Sequence, residues 1–141
     1  APEGFEPLSA EMMAAKWPTN RAPAYAVGTA TGATTVAYDV KPNPLPQAAL
    51  PEAQKSFTQV FDRIIPGIVW KKNEIVSHAG QQWLFMEMSS HAVDADIHNI
   101  MLVTGVDGRM VVFNFNSTRK EFPQYEAALR KSIDSIRLPA R

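Results

Sequence analysis

The dipeptide Asp107-Gly108 sits between two long apolar-rich runs, and it constrains the fold more than any other part of the chain. A two-residue type I′ turn needs positive φ at both central positions, which Asp-Gly tolerates. Strands at Ile97–Val106 and Arg109–Asn116 then meet in a single register. Val106 faces Arg109, Thr104 faces Val111, Leu102 faces Phe113 and Ile100 faces Phe115. Side chains alternate along a strand, so residues two apart share a face. One face carries Ile100, Leu102, Val111, Phe113 and Phe115. The other carries Met101, Val103, Met110 and Val112, with Asn99, Asn114 and Asn116 at its far end.

An antiparallel sheet with one wet side shows a clean apolar/polar alternation. Here both faces are apolar, and Trp83-Leu84-Phe85-Met86 in a neighbouring strand at Gln82–Ser90 repeats the pattern. A further strand is expected at Ile68–Ser77, with Gly80 marking the turn between them. The expected class is α+β: an antiparallel β-sheet flanked by helices on both faces, an α/β/α sandwich.

The covering helices are legible from their spacing. Leu50, Ala53, Phe57, Val60, Phe61, Ile64 and Ile65 recur at three to four residues, with Pro51 in the first turn and Pro66-Gly67 as the stop. Phe122, Tyr125, Leu129, Ile133 and Ile136 form a second stripe, with Pro123 near its start and Glu126 four residues before Arg130. A short helix at Ser9–Lys16 has Ser9 as its N-cap and ends at Trp17-Pro18. Ala24–Thr29 and Thr34–Lys41 read as a hairpin. The following KPNPLPQAALP segment is a stiff crossover to the next helix rather than a polyproline ligand, since proline stiffens connectors without needing a partner.

Composition removes several function classes. The chain has 141 residues, the size of one domain spanning 1–141, and its 45% hydrophobic content argues against disorder. Fourteen basic residues balance 14 acidic ones, which leaves no charge surplus to drive counterion release from nucleic acid. Cysteine is absent, so thiol catalysis, disulfides and cysteine-ligated metals are excluded. No run approaches the roughly 18 apolar residues of a transmembrane segment. The start Ala1-Pro2-Glu3-Gly4, without methionine, fits cleavage of an export signal at a small-residue site and leaves room for a lipid anchor upstream. A trimmed chain gives the same start.

No catalytic motif stands out. His91, Asp94, Asp96 and His98 occupy one expected connection between strands, but their spacing matches no established metal site, and no metal or other cofactor is expected. No G-x-S-x-G elbow activates Ser89, Ser90 or Ser117. The Gly28–Gly32 stretch lacks the Lys-Ser/Thr ending of a phosphate loop and precedes a strand, so it reads as a hairpin turn. Glu74 and Glu87 lie on expected strands, where each is as easily a solvated edge or outer-face residue as a member of an acid–base pair, and the sequence does not decide between these readings. Trp70, Trp83, Met86, Met88, Met101 and Met110 read as core. The candidate cleft for a ligand or partner is the asparagine end of the hairpin: Asn99, Met101, Asn114 and Asn116. Those amides must either cap the loop at Ser117-Thr118 or line a wet opening, because an unpaired buried amide costs roughly 1–3 kcal/mol.

The element order, the phrase GQQWLFMEM after a glycine turn, and the closing VVFNFNSTRKEFPQYEAALRKSIDSIRL resemble the PsbP-like superfamily. Its members include DcrB-like exported lipoproteins and type VI effector chaperones. The resemblance implies the same sandwich and a non-catalytic role. It transfers no binding residue. The expected function is an exported, periplasmic binding or assembly factor that engages a protein partner or small ligand as a monomer or homodimer. A cytoplasmic chaperone for a secreted effector is the alternative, and a metal-dependent enzyme centred on His91–His98 comes third.

Overall fold

A computed structural model describes residues 4–16, 25–29, 32–91 and 96–136. Asp107 and Gly108 both adopt positive φ, 51° and 76°, and the flanking strands pair in the expected register from Val106↔Arg109 to Ile100↔Phe115. Pairing extends further than the turn alone requires. β6 runs Asp96–Val106 and β7 runs Arg109–Thr118. β4 (Val69–His78) and β5 (Gln81–His91) form a second tight hairpin over Ala79-Gly80, also with positive φ at both positions.

The first half adds β1 (Glu6–Pro7), α1 (Ala10–Lys16), β2 (Tyr25–Gly28) and β3 (Thr34–Lys41). Ser9 Oγ accepts a hydrogen bond from the Met12 amide at 3.1 Å, which is the N-cap bond its position predicts. The end of that helix at Trp17-Pro18, residue 24 and the turn at 30–31 fall outside the described residues. The described strands make one antiparallel sheet in the order β1-β2-β3-β7-β6-β5-β4. Among the described strand pairings, β3–β7 spans the largest gap in the chain, and along Thr34–Lys41 and Met110–Ser117 it joins the two halves of the sheet.

Both faces are covered. α3 (Phe122–Asp134) packs Phe122, Leu129 and Ile133 onto Trp83, Ile100, Leu102 and Phe115. α2 (Leu50–Ile64) packs Leu50, with Phe57 and Phe61, over Leu84, Met86, Met88, Met101 and Val103 on the other face. These are the two apolar sets that the hairpin register separates. Gln54 and Asp62 of α2 bond Asn73 and Trp70 of β4, fixing the helix over the β4–β5 side.

The proline-rich segment runs from β3 to α2 through a 3-10 turn at Gln47–Ala49. Its Leu45 carbonyl presses onto Gly105 of β6, where a β-carbon would overlap that backbone oxygen. Gln47 fastens the segment by accepting from the Gln82 amide at 2.7 Å. Glycine at 105 is thus a matter of close approach rather than of backbone conformation.

Candidate functional site

A row of aromatic rings crosses the face under α3. Tyr25, Tyr38 and Phe113 occupy directly paired positions on β2, β3 and β7, so period two places their rings side by side. Tyr25 and Tyr38 are 6.2 Å apart between centroids, and Tyr38 stacks on Phe113 at 5.5 Å. Phe113 meets Trp83 at 6.0 Å and Trp83 meets His78 at 6.3 Å, which carries the row to β4. The inner end is locked. The Trp83 indole donates to the His78 carbonyl at 2.9 Å, and the His78 ring Nε2 lies 3.2 Å from the Ile136 carbonyl.

The outer end is open. α3 stops at Asp134, and beyond it a cleft of about 380 Å³ lies between the helix end and the sheet. Its floor is Tyr25, Val27, Val36, Tyr38, Phe113 and Phe115, and its rim is Ser132, Ser135 and Ile136. Tyr25 is 49% exposed and Tyr38 36%, high for rings on a covered sheet. Among the described residues the lining has no carboxylate, imidazole, amine or guanidinium.

A polar cluster lies elsewhere on the same face. Glu87 of β5 is buried at 4% exposure, so of the readings open to it the solvated edge does not hold. Arg130 of α3 reaches it at 2.9 Å and His98 Nε2 at 2.6 Å, while Glu126 holds Arg130 from the helical position four residues earlier. Burial pushes the Glu87 carboxyl up, but the bonds from His98 and Arg130 outweigh it and lower the group to about 2. A carboxylate so strongly held is a poor proton acceptor near neutral pH. The cluster clamps α3 to the sheet.

His91, Asp96 and His98 do not occupy one connection: His91 closes β5 and Asp96 opens β6, so all three lie on strands. The His91 amide bonds the Pro66 carbonyl and the Arg119 amide bonds the Asp96 carbonyl, extending the backbone pairing past the expected ends. His91 Nδ1 sits 2.6 Å from Asp96, whose carboxyl is lowered first by that bond and then by Arg119. His98 instead turns to Glu87 and stacks on Phe122 at 3.7 Å. Each imidazole therefore has its own carboxylate. No group of three metal-ligating side chains occurs among the described residues, and Asp94 lies outside them.

Asn99, Met101, Asn114 and Asn116 share the opposite face, beside the α2 core. The Asn116 amide donates to Asn99 Oδ1 at 3.1 Å, so these two satisfy each other across the strands. Met101 is buried against α2, and Asn114 Oδ1 is buried with no hydrogen-bond partner among the described residues. Sequence reasoning missed the tyrosine cleft and the Glu87–Arg130 pair. The alternation of Thr34, Val36, Tyr38 and Val40 was a usable signal for the cleft, but its position depends on β3 meeting β7.

No family model matches the chain, and no curated protein matches its sequence. Solved structures do. Cyanobacterial PsbP (CyanoP) from Synechocystis sp. PCC 6803 aligns at 13% identity with a TM-score of 0.65, covering 96% of this chain and 82% of that one. LpqN, involved in cell envelope biogenesis of Mycobacterium tuberculosis, aligns at 14% identity with a TM-score of 0.58, covering 92% and 75%. PA94 from Pseudomonas aeruginosa, a protein of unknown function, aligns at 12% identity with a TM-score of 0.59, covering 97% and 82%. No helix among the described residues is long and apolar enough to cross a membrane. With its element order, sheet and two covered faces, the chain has the PsbP-like fold.

Proposed function

We propose that this chain is a non-catalytic binding or assembly factor that acts as one PsbP-like domain and seats an apolar group in the cleft below α3. One observation carries the reading: among the described residues the cleft is floored by aromatic rings and bordered by two serines, with no carboxylate, imidazole or cationic group in its lining. Ligand sites of this kind are mostly apolar, with a few polar groups that orient the occupant. Export to the bacterial envelope is part of the proposal, supported by the part LpqN plays in envelope biogenesis. The alternative, a cytoplasmic chaperone, uses the same cleft for an apolar side chain of its client.

Binding of the uncharged dye N-phenyl-1-naphthylamine tests the site. Saturable fluorescence enhancement is expected, lost in Tyr38→Ser under conditions where circular dichroism shows the variant folded. Enhancement that survives Tyr38→Ser places binding elsewhere and contradicts the reading. Fractionation of the native host separates the two locations, the envelope fraction being expected.

The asparagine end is proposed as a second, polar contact point, on the strength of the unpartnered Asn114 Oδ1. Replacing Asn114 and Asn116 with alanine should leave folding intact and weaken capture of the partner. Lost stability with unchanged capture would make the amides structural.

A further inference from the structure

Resting on the cleft reading above, we infer that the occupant is a flat, uncharged ring system bearing one hydroxyl or carbonyl group, rather than an alkyl chain or a cation. Charge matching gives the first half of the inference. Among the described residues the lining contains no charged side chain, and a charge taken into it would lose hydration without gaining a counter-charge there.

Ring geometry gives the second half. The neighbouring rings on the cleft floor, Tyr25–Tyr38 and Tyr38–Phe113, are 6.2 and 5.5 Å apart, inside the range where aromatic pairs attract beyond simple burial. Among the described residues the row ends at the half-exposed Tyr25. Tyr38 and Phe113 are nearly parallel, 25° between planes, while Tyr25 is tilted 58° to Tyr38. A ring laid against this floor meets two near-parallel rings and a third tilted to them, so ring–ring contacts of more than one geometry are open to it. An alkyl chain of equal size gains only the buried area.

The volume limits the size. At about 30 Å³ for each water-sized group, the cleft encloses about a dozen heavy atoms, so it takes the naphthyl group of the dye while the phenyl group projects through the open end. At the rim, the Ser135 hydroxyl is already donated to the Ser132 carbonyl at 2.6 Å. Ser132 is then the rim serine left to donate to a ligand carbonyl, while either serine oxygen can accept from a ligand hydroxyl.

Competition against N-phenyl-1-naphthylamine with three size-matched probes tests this: 2-naphthol, 1-decanol and benzyltrimethylammonium. 2-Naphthol should displace the dye at a concentration about tenfold lower than either of the others, the margin expected from ring–ring contacts. Tyr38→Leu keeps the floor apolar and should bring 2-naphthol and 1-decanol to parity. Tyr25→Leu, at the more exposed end of the row, should do so in part and provides a second variant should Tyr38→Leu fold poorly. Decanol competing as well as naphthol would overturn the ring claim while leaving an apolar site in place. Preference for the quaternary ammonium would overturn neutrality. A naphthol preference that survives both leucine variants would overturn the placement. Failure of the dye itself to bind would instead remove the underlying reading.

Discussion

Glu87 shows what one residue contributes when its whole environment is arranged around it. In the unfolded chain its carboxyl returns to the ordinary value of 4.5, against about 2 in the fold. A depressed acid stabilises the fold fully above its unfolded value and loses that contribution as pH falls toward the folded value. The contribution is on the order of 3 kcal/mol and should disappear between pH 4.5 and pH 2. Denaturant unfolding across that window should show the decline, and Glu87→Gln should flatten it. At neutral pH Glu87→Gln should cost about 1–3 kcal/mol, because it removes the anion that Arg130 and His98 share while Glu126 keeps Arg130 paired. A loss below 1 kcal/mol would mean that the pair is solvated rather than clamped. The burial of Glu87 was not legible in the sequence. Strand alternation places it beside Phe85 on a covered face, but its partner Arg130 lies 43 residues away on α3.

Elements were read well where their signals are local. The Asp107-Gly108 turn, the stripe Phe122–Ile136 and the Ser9 cap depend only on neighbouring residues, and each sits where its pattern requires. The β4–β5 turn was marked only by Gly80, yet Ala79 shares its positive φ of 51°. A left-handed conformation costs a residue with a β-carbon roughly 1–2 kcal/mol. Ala79→Gly should therefore stabilise the protein by about 1 kcal/mol, measured by thermal unfolding. Unchanged or lower stability would mean that the turn relaxes without glycine. Gly105→Ala should act in the opposite sense, since the new methyl meets the Leu45 carbonyl of the crossover; a loss of about 1–3 kcal/mol is expected. On the outer edge, the irregularity in β4 pairing at Trp70–Lys72 and the exposed Lys71 and Lys72 interrupt what would be a flat strand open to other chains. Replacing both lysines with valine should produce concentration-dependent association by light scattering. A strictly monomeric double variant would show that the edge is protected some other way.

At the scale of the whole molecule, the sheet places two surfaces back to back. One is the ring-floored cleft at the end of α3; the other is the asparagine end beside α2. The sequence pointed to the second, because Asn99, Asn114 and Asn116 interrupt a face that the hairpin register already defines. The cleft was hidden because its floor combines Tyr25 and Tyr38 from one half with Phe113 from the other, and only the β3–β7 pairing brings them into one row. The two surfaces make distinct claims, and a residue-resolved titration separates them. In two-dimensional amide NMR of labelled protein titrated with 2-naphthol, the cleft account predicts saturable shifts centred on Tyr25, Tyr38, Phe113, Ser132 and Ile136, with Asn99 and Asn116 unmoved. Shifts centred on the asparagine face, or none at saturating ligand, would contradict it.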